Sequence, residues 1–227
     1  MNGLSFDIEG IYFNCFRKPM TTSAIITYSV PPFTTIRGLV ANALGLPAFP
    51  LCKEKHIELQ EKISIGLLPL RLSDPSAELT KVLKLKAKGK KRYFERLFPS
   101  SPMFKEFLVN PKYRVFIVGE EPLISKLYKK ILNSERPLYL GKSDDFVDIQ
   151  QIKFISDIEL KKKKSNKIWG LVGGIQKGCE IIKLPYKFSD DGKSLEQILV
   201  SVPSKQPILL EKKVESHEFN GKNICLF

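Results

Sequence analysis

The chain has 227 residues, 43% of them hydrophobic and 10% aromatic. That composition excludes intrinsic disorder and leaves room for one large domain or two small ones, each with a core. The formal charge of +13 favours a polyanionic partner, nucleic acid first, with an acidic protein or an anionic membrane surface behind it. Only seven of the 37 basic residues are arginine, and such a lysine bias is also a signature of genome and thermal habitat.

In chain order, Leu4 to Arg17 alternates as a long strand whose change of phase near Gly10 predicts a bulge. Val30 to Gly45 (VPPFTTIRGLVANALG) reads as a Pro-stiffened connection and a helix. Thr34 or Thr35 is the expected N-cap, Arg37 falls in the first turn, and Gly45 is the left-handed terminator. An irregular Pro-rich link follows, then a second strand over Glu61 to Arg71 with Pro69 near its edge. Residues 73–110 are polar and basic, an excursion from the core. Tyr113 to Val118 is a buried strand, and Glu120 to Asn133 an amphipathic helix with an acidic start and a lysine-rich end. Pro137 to Gly141 and Phe146 to Leu160 resume strand character.

The order is therefore βαββαβ, that of a ferredoxin-like (RRM-like) unit, and the fold class is α+β. The expected division is a ferredoxin-like domain over 1–150, carrying the excursion, and a small β-rich C-terminal lobe over 151–227. Short strands are expected in the lobe at Trp169–Ile175, Cys179–Leu184, Leu199–Val202, Ile208–Glu211 and Asn223–Phe227.

The excursion holds the densest charge. From Val82 to Lys88 apolar and basic residues alternate, the chain turns at Gly89, and KKRYFER follows. This is the pattern of a basic hairpin, in which lysines track a phosphate backbone and Tyr93 or Phe94 stacks on bases. A solvated lysine-rich loop is the plainer reading of the same run. A guanidinium at a helix start likewise suits a phosphate, although a surface arginine is the bland alternative there.

Enzyme signals are poor. The two histidines, His56 and His217, have no local partner pattern, and Cys52 with His56 lacks a third and fourth metal ligand. The pairs Asp144–Asp145 and Asp190–Asp191 sit in turn-like contexts. GLVGGIQKGC, Gly170 to Cys179, fails P-loop spacing. The four cysteines are scattered, so reduced thiols, no metal and no cofactor are expected. The N-terminal residues carry no signal region and no apolar run is long enough to span a bilayer, so a cytoplasmic protein with no membrane association is expected.

Four segments, FRKPM (16–20), TYSVPPFTTIRGLVANALG (27–45), FLVNPKYRVFIVG (107–119) and PLYLGKSDDF (137–146), resemble the Cas-five family of CRISPR-associated proteins in the RAMP superfamily. The C-terminal lobe matches loosely, through VPSKQPILL and NICLF. The resemblance implies a non-catalytic RNA-binding subunit of a type I Cascade interference complex that caps the 5′ handle of crRNA. It implies a thumb hairpin between the second and third strands, here Lys81 to Arg96. Its neighbours would be a Cas-seven-type backbone subunit and a Cas-eight-type large subunit. Expected handle contacts are Arg17, Lys18, Thr35 and Arg37. The expected thumb residues are Lys84, Lys86, Lys88, Lys90, Lys91 and Arg92, with Tyr93 or Phe94 stacking, and Lys142 and Ser143 add a turn. One branch of the family cleaves pre-crRNA without metal through Tyr, Lys and His. Tyr93 and Lys90 or Lys91 are present here, but no histidine is near them. A metal-independent endoribonuclease is thus one alternative, and a basic scaffold protein without RNA specificity another.

Overall fold

The computed structural model describes residues 1–19, 24–83, 87–88, 91–92, 100–142, 144–157 and 159–227. Its elements are β1 (Asn2–Gly10), β2 (Phe13–Asn14), β3 (Ala24–Ile25), α1 (Phe33–Ala43), α2 (Lys53–Lys62), β4 (Ile63–Arg71) and β5 (Ser76–Leu83). Then come β6 (Ala87–Lys88), β7 (Lys91–Arg92), β8 (Ser100–Val109), β9 (Lys112–Gly119), α3 (Glu121–Leu132) and β10 (Val147–Ile155). The remainder is β11 (Lys161–Ile168), β12 (Val172–Gly173), β13 (Cys179–Phe188), β14 (Leu195–Pro203), β15 (Ile208–Phe219) and β16 (Lys222–Ile224).

The central sheet has the order β10-β1-β9-β4, and every neighbouring pair is antiparallel. Period-two alternation divides its residues between two faces. Leu4, Phe6 and Ile8 of β1, with Ile63, Ile65 and Leu67 of β4, pack under Ile36, Leu39 and Val40 of α1 and Ile124 and Leu127 of α3. On the opposite face Leu68, Phe116 and Val118 meet Phe219 and Ile224.

That opposite face also carries paired charges. Arg114 donates through Nε and Nη2 to the two carboxylate oxygens of Asp7, the second bond at 2.9 Å. Glu9 accepts from Lys112 at 2.9 Å and from Arg71. Part of this face is covered by β15 and β16, through Phe219 and Ile224.

The C-terminal strands lie on both sides of the central sheet. Leu184, Val200 and Val202 of β13 and β14 join the α1-side core, while β11-β15-β16 forms a separate three-stranded sheet whose Phe219 and Ile224 pack on the other face. The expected boundary at residue 150 falls inside β10. Where Gly170 passes β4, an added Cβ would stand 2.3 Å from the Leu67 carbonyl oxygen, and its φ is +84°. Only glycine fits that approach.

Several local expectations need correction. The strand expected from Leu4 to Arg17 ends at Gly10, because Tyr12 turns the chain at φ 66° and Phe13 and Asn14 pair with β8 instead. Neither Thr34 nor Thr35 is the N-cap of α1. Pro32 holds that position, no side chain caps the helix, and the Pro32 carbonyl accepts from the Thr35 and Ile36 amides. The segment after Gly45 contains α2, so Glu61 and Lys62 are helical rather than extended. Pro137–Gly141 is not a strand; Tyr139 makes only an isolated bridge to Phe146. The expected strand to Leu160 ends at Ile155, and a separate lysine-rich strand, β11, follows.

Candidate nucleic-acid interface

The excursion is a β-ribbon. β5 pairs antiparallel with β8 from Ser76↔Phe107 to Leu83↔Ser100, and beyond it Ala87 pairs with Arg92 and Lys88 with Lys91. It leaves the central sheet after β4 and returns before β9. At its base β8 also takes β2 (Phe13↔Val109) and β3 (Ala24↔Phe104, parallel) as partners. These two short strands flank Arg17 and Lys18, so backbone hydrogen bonds fix the ribbon beside that stretch.

Arg17 is exposed and bridges to Thr27, whose amide donates to the Glu106 carboxylate of β8 at 3.0 Å. The Lys18 amide donates to the Ile26 carbonyl at 2.8 Å, and its ammonium lies 5.4 Å from the Tyr28 ring centroid. The turn at Gly141–Asp145 abuts the same stretch. The Asp145 carboxylate accepts from the Cys15 amide at 3.4 Å, and the Cβ position of Gly141 is 3.7 Å from the Cys15 carbonyl oxygen. Burial raises the Asp145 carboxyl above the usual aspartate range, although two backbone donors and the Lys142 cation oppose the shift. Lys142 is exposed in this turn.

Gly141 also lines a cavity with Thr34, Thr35 and Arg37. The ribbon base, the Arg17–Lys18 stretch, the 141–145 turn and the start of α1 therefore form one contiguous region. Arg37 differs from the surface group expected of it. It is 6% exposed, its Nη1 donates to the Tyr186 carbonyl, and its guanidinium carbon is 5.0 Å from the Tyr186 ring centroid. Desolvation holds its pKa below the ordinary arginine value.

Lys88, Lys91 and Arg92 belong to the paired strands at the far end of the ribbon. Lys84, Lys86, Lys90, Tyr93, Phe94 and Ser143 lie outside the described residues. Sequence reasoning did not connect Arg136, His56 and Tyr139 with Arg37, whose cavity the fold brings them to. No local pattern marks them, since α2, the 136–141 loop and α1 converge only through tertiary packing. His56 Nε2 is 2.8 Å from the Pro47 carbonyl oxygen, and His217 sits on β15. All four cysteines are free, and burial pushes the Cys225 thiol up to about 11. Among the described residues no group of side chains could hold a metal ion, and no helix is long and apolar enough to cross a membrane.

Comparison with known proteins gives this geometry a family. The family described as CRISPR-associated protein (Cas_Cas5) matches residues 3–196. The chain belongs to that family. A crystal structure of a CRISPR protein from Archaeoglobus fulgidus shares the fold at a TM-score of 0.54 and 18% identity, over 99% of this chain and 98% of that one. A chain of a CRISPR RNA-guided surveillance complex aligns at 0.56 and 10% identity, over 93% and 91%. No curated protein matches.

Proposed function

We propose that this chain is a non-catalytic RNA-binding subunit of a type I CRISPR interference complex, holding the 5′ handle of crRNA. Family membership supports the CRISPR setting, and the charge of +13 supports a polyanionic ligand. The observation that carries the reading is the pairing of β8 with both β2 and β3, which joins the basic ribbon to the Arg17–Lys18 stretch. One strand of RNA can then follow cations from the ribbon to the 141–145 turn. The strand order β10-β1-β9-β4, with α1 and α3 on one face, supports a ferredoxin-like body, and the ribbon then corresponds to the thumb. The opposite face is partly covered by β15 and β16, which favours the ribbon side over the sheet for RNA.

A Cas-seven-type backbone subunit and a Cas-eight-type large subunit are the protein neighbours in this reading. Exposed Tyr12, Phe13, Leu79 and Phe104, at or near the ribbon base, supply apolar surface for such a contact. Titration of handle RNA against the full chain tests the proposal. A variant with Lys88, Lys91 and Arg92 changed to Gln should bind about tenfold more weakly at moderate salt. Unchanged affinity in that variant and in Arg17→Gln/Lys18→Gln would remove the assigned surface. Incubation with repeat RNA in chelator tests the non-catalytic part, which site-specific cleavage would overturn.

A further inference from the structure

The β15–β16 hairpin packs on the central sheet through Phe219 and Phe116, whose ring centroids are 4.7 Å apart. Beside that contact lies a cavity of about 40 Å³. Its floor is Ser5 of β1, which pairs with Phe116 of β9 on one side and Lys153 of β10 on the other. Arg114, Lys153 and Lys222 bring three cations to its walls, and no described carboxylate lines it. Ser5 is 4% exposed, yet its hydroxyl has no hydrogen-bond partner among the described residues. A buried hydroxyl without a partner is costly, and the space it borders is surrounded by positive charge.

The cations keep donors to spare. Asp7 takes Nε and Nη2 of Arg114, which fixes the guanidinium and leaves Nη1 unbonded among the described residues. Lys153 has no carboxylate partner among them, and the Lys222 ammonium rests 4.8 Å from the Trp169 ring centroid. Two rim residues add side-chain amides: Gln151 (φ 53°) at the β1–β10 register shift, and Asn220 (φ 47°) in the β15–β16 turn. Both hold left-handed backbone, uncommon outside glycine. Three cations, a hydroxyl and two amides surround a space the size of a few water molecules. These donors outnumber the two oxygens of a flat carboxylate and match a compact ion with oxygens on every side.

We infer that this cavity binds one tetrahedral oxyanion, a phosphate or sulfate group, between the Ser5 hydroxyl and the Arg114, Lys153 and Lys222 cations. Its volume admits such an ion and excludes a nucleoside. A free ion and a backbone phosphate of a nucleic-acid strand lying over this face offer the same chemistry. The site is on the sheet face away from α1 and α3 and does not depend on the handle-binding reading.

Trp169 is the only tryptophan of the chain and lies under Lys222, so its fluorescence reports on the site. The full chain is titrated with sodium phosphate or sulfate, against sodium chloride at equal ionic strength. A saturable change in the millimolar range is expected, as the Lys222 ammonium moves towards the ion. Lys153→Gln, at an exposed position, should weaken the response about tenfold, and Ser5→Ala several-fold. Lys161→Gln, which removes an exposed lysine of β11 outside the cavity, should leave it unchanged. Both salts also stabilise proteins generally, by exclusion from their surface. The melting temperature is therefore compared with that of the Lys153→Gln/Lys222→Gln double variant, in which the excess gain of the wild type should vanish. Phosphate and sulfate that match chloride in both measurements overturn the inference. So does a response that survives in the double variant or falls equally in Lys161→Gln. Handle RNA separates the sources: if it competes with phosphate for the Trp169 response, a backbone phosphate occupies the site, and if it does not, the free ion does. Loss of handle binding in the ribbon variant, with the phosphate response intact, speaks to the handle-binding reading alone.

Discussion

Arg37 and Tyr186 are held together twice: the guanidinium lies 5.0 Å from the Tyr186 ring centroid and also donates to the Tyr186 carbonyl. The same ring meets Phe33 edge-on at 6.0 Å, so one side chain of β13 anchors the first turns of α1. Tyr186→Ala should therefore cost about 2–3 kcal/mol, by loss of aromatic packing and of the cation–π contact. Urea denaturation reads this as a lower midpoint at unchanged slope. Tyr186→Phe, which keeps both contacts, should stay near wild type.

Gly170→Ala should destabilise by about 2–3 kcal/mol, because its Cβ would collide with the Leu67 carbonyl and its φ is positive. Gly174→Ala provides a matched control. It shares a positive φ of +75° but has open space around the Cβ position, so it bears the conformational cost alone. Thermal melts of both separate collision from backbone strain.

Stability should depend on pH in two separable windows. Hydrogen bonds from Lys112 and Arg71 hold the Glu9 carboxyl below its ordinary value of 4.5. The folded state thus binds this proton less readily than the unfolded chain. The contribution is complete above 4.5 and disappears as pH falls through the folded value. Burial, with the Lys162 cation adding to it, holds His217 below 6.5, so its contribution is complete above 6.5 and begins to fall already below that pH. His217→Gln should flatten the upper limb and Glu9→Gln the lower one in melting temperature against pH.

Charge removal on the ribbon should act on salt dependence more than on folding. For single-stranded RNA, each lost phosphate contact reduces the slope of log affinity against log salt by about 0.7. Lys88→Gln and Lys91→Gln should each show a reduction of that order, evenly across RNA sequences, with the melting temperature unchanged. A loss confined to one sequence would instead mark base contact.

Where local pattern dictated structure, the sequence was readable. Ile36, Leu39, Val40 and Ala43 recur on one face of α1, and Gly45 ends it at φ +79°. In α3, Glu121 and Lys129–Lys130 complement the dipole, as their order suggested. The strands β1, β4 and β9 were legible through their apolar residues for the same reason. α2 was not, because KEKHIELQEK buries only Leu59 and Gln60 and has almost no apolar period. β11 was hidden by Lys161–Lys164, which look like a solvated run. They form a strand because β15 pairs with it and offers Glu215 and Glu218 to Lys162 and Lys163. The burial of Arg37 was not legible, since the carbonyl it bonds lies 149 residues away. The Arg37 cavity depends on the same distant packing, so its walls had no signature in any one segment.

Ile65 and Phe227 exchange backbone hydrogen bonds at 2.8 and 2.9 Å, which extends pairing past the β4 margin of the central sheet. A growing polypeptide therefore cannot complete this border while most of its length is still being made. Until residues as distant as Phe227 have been made, the earlier part of the chain keeps an open flank beside β4.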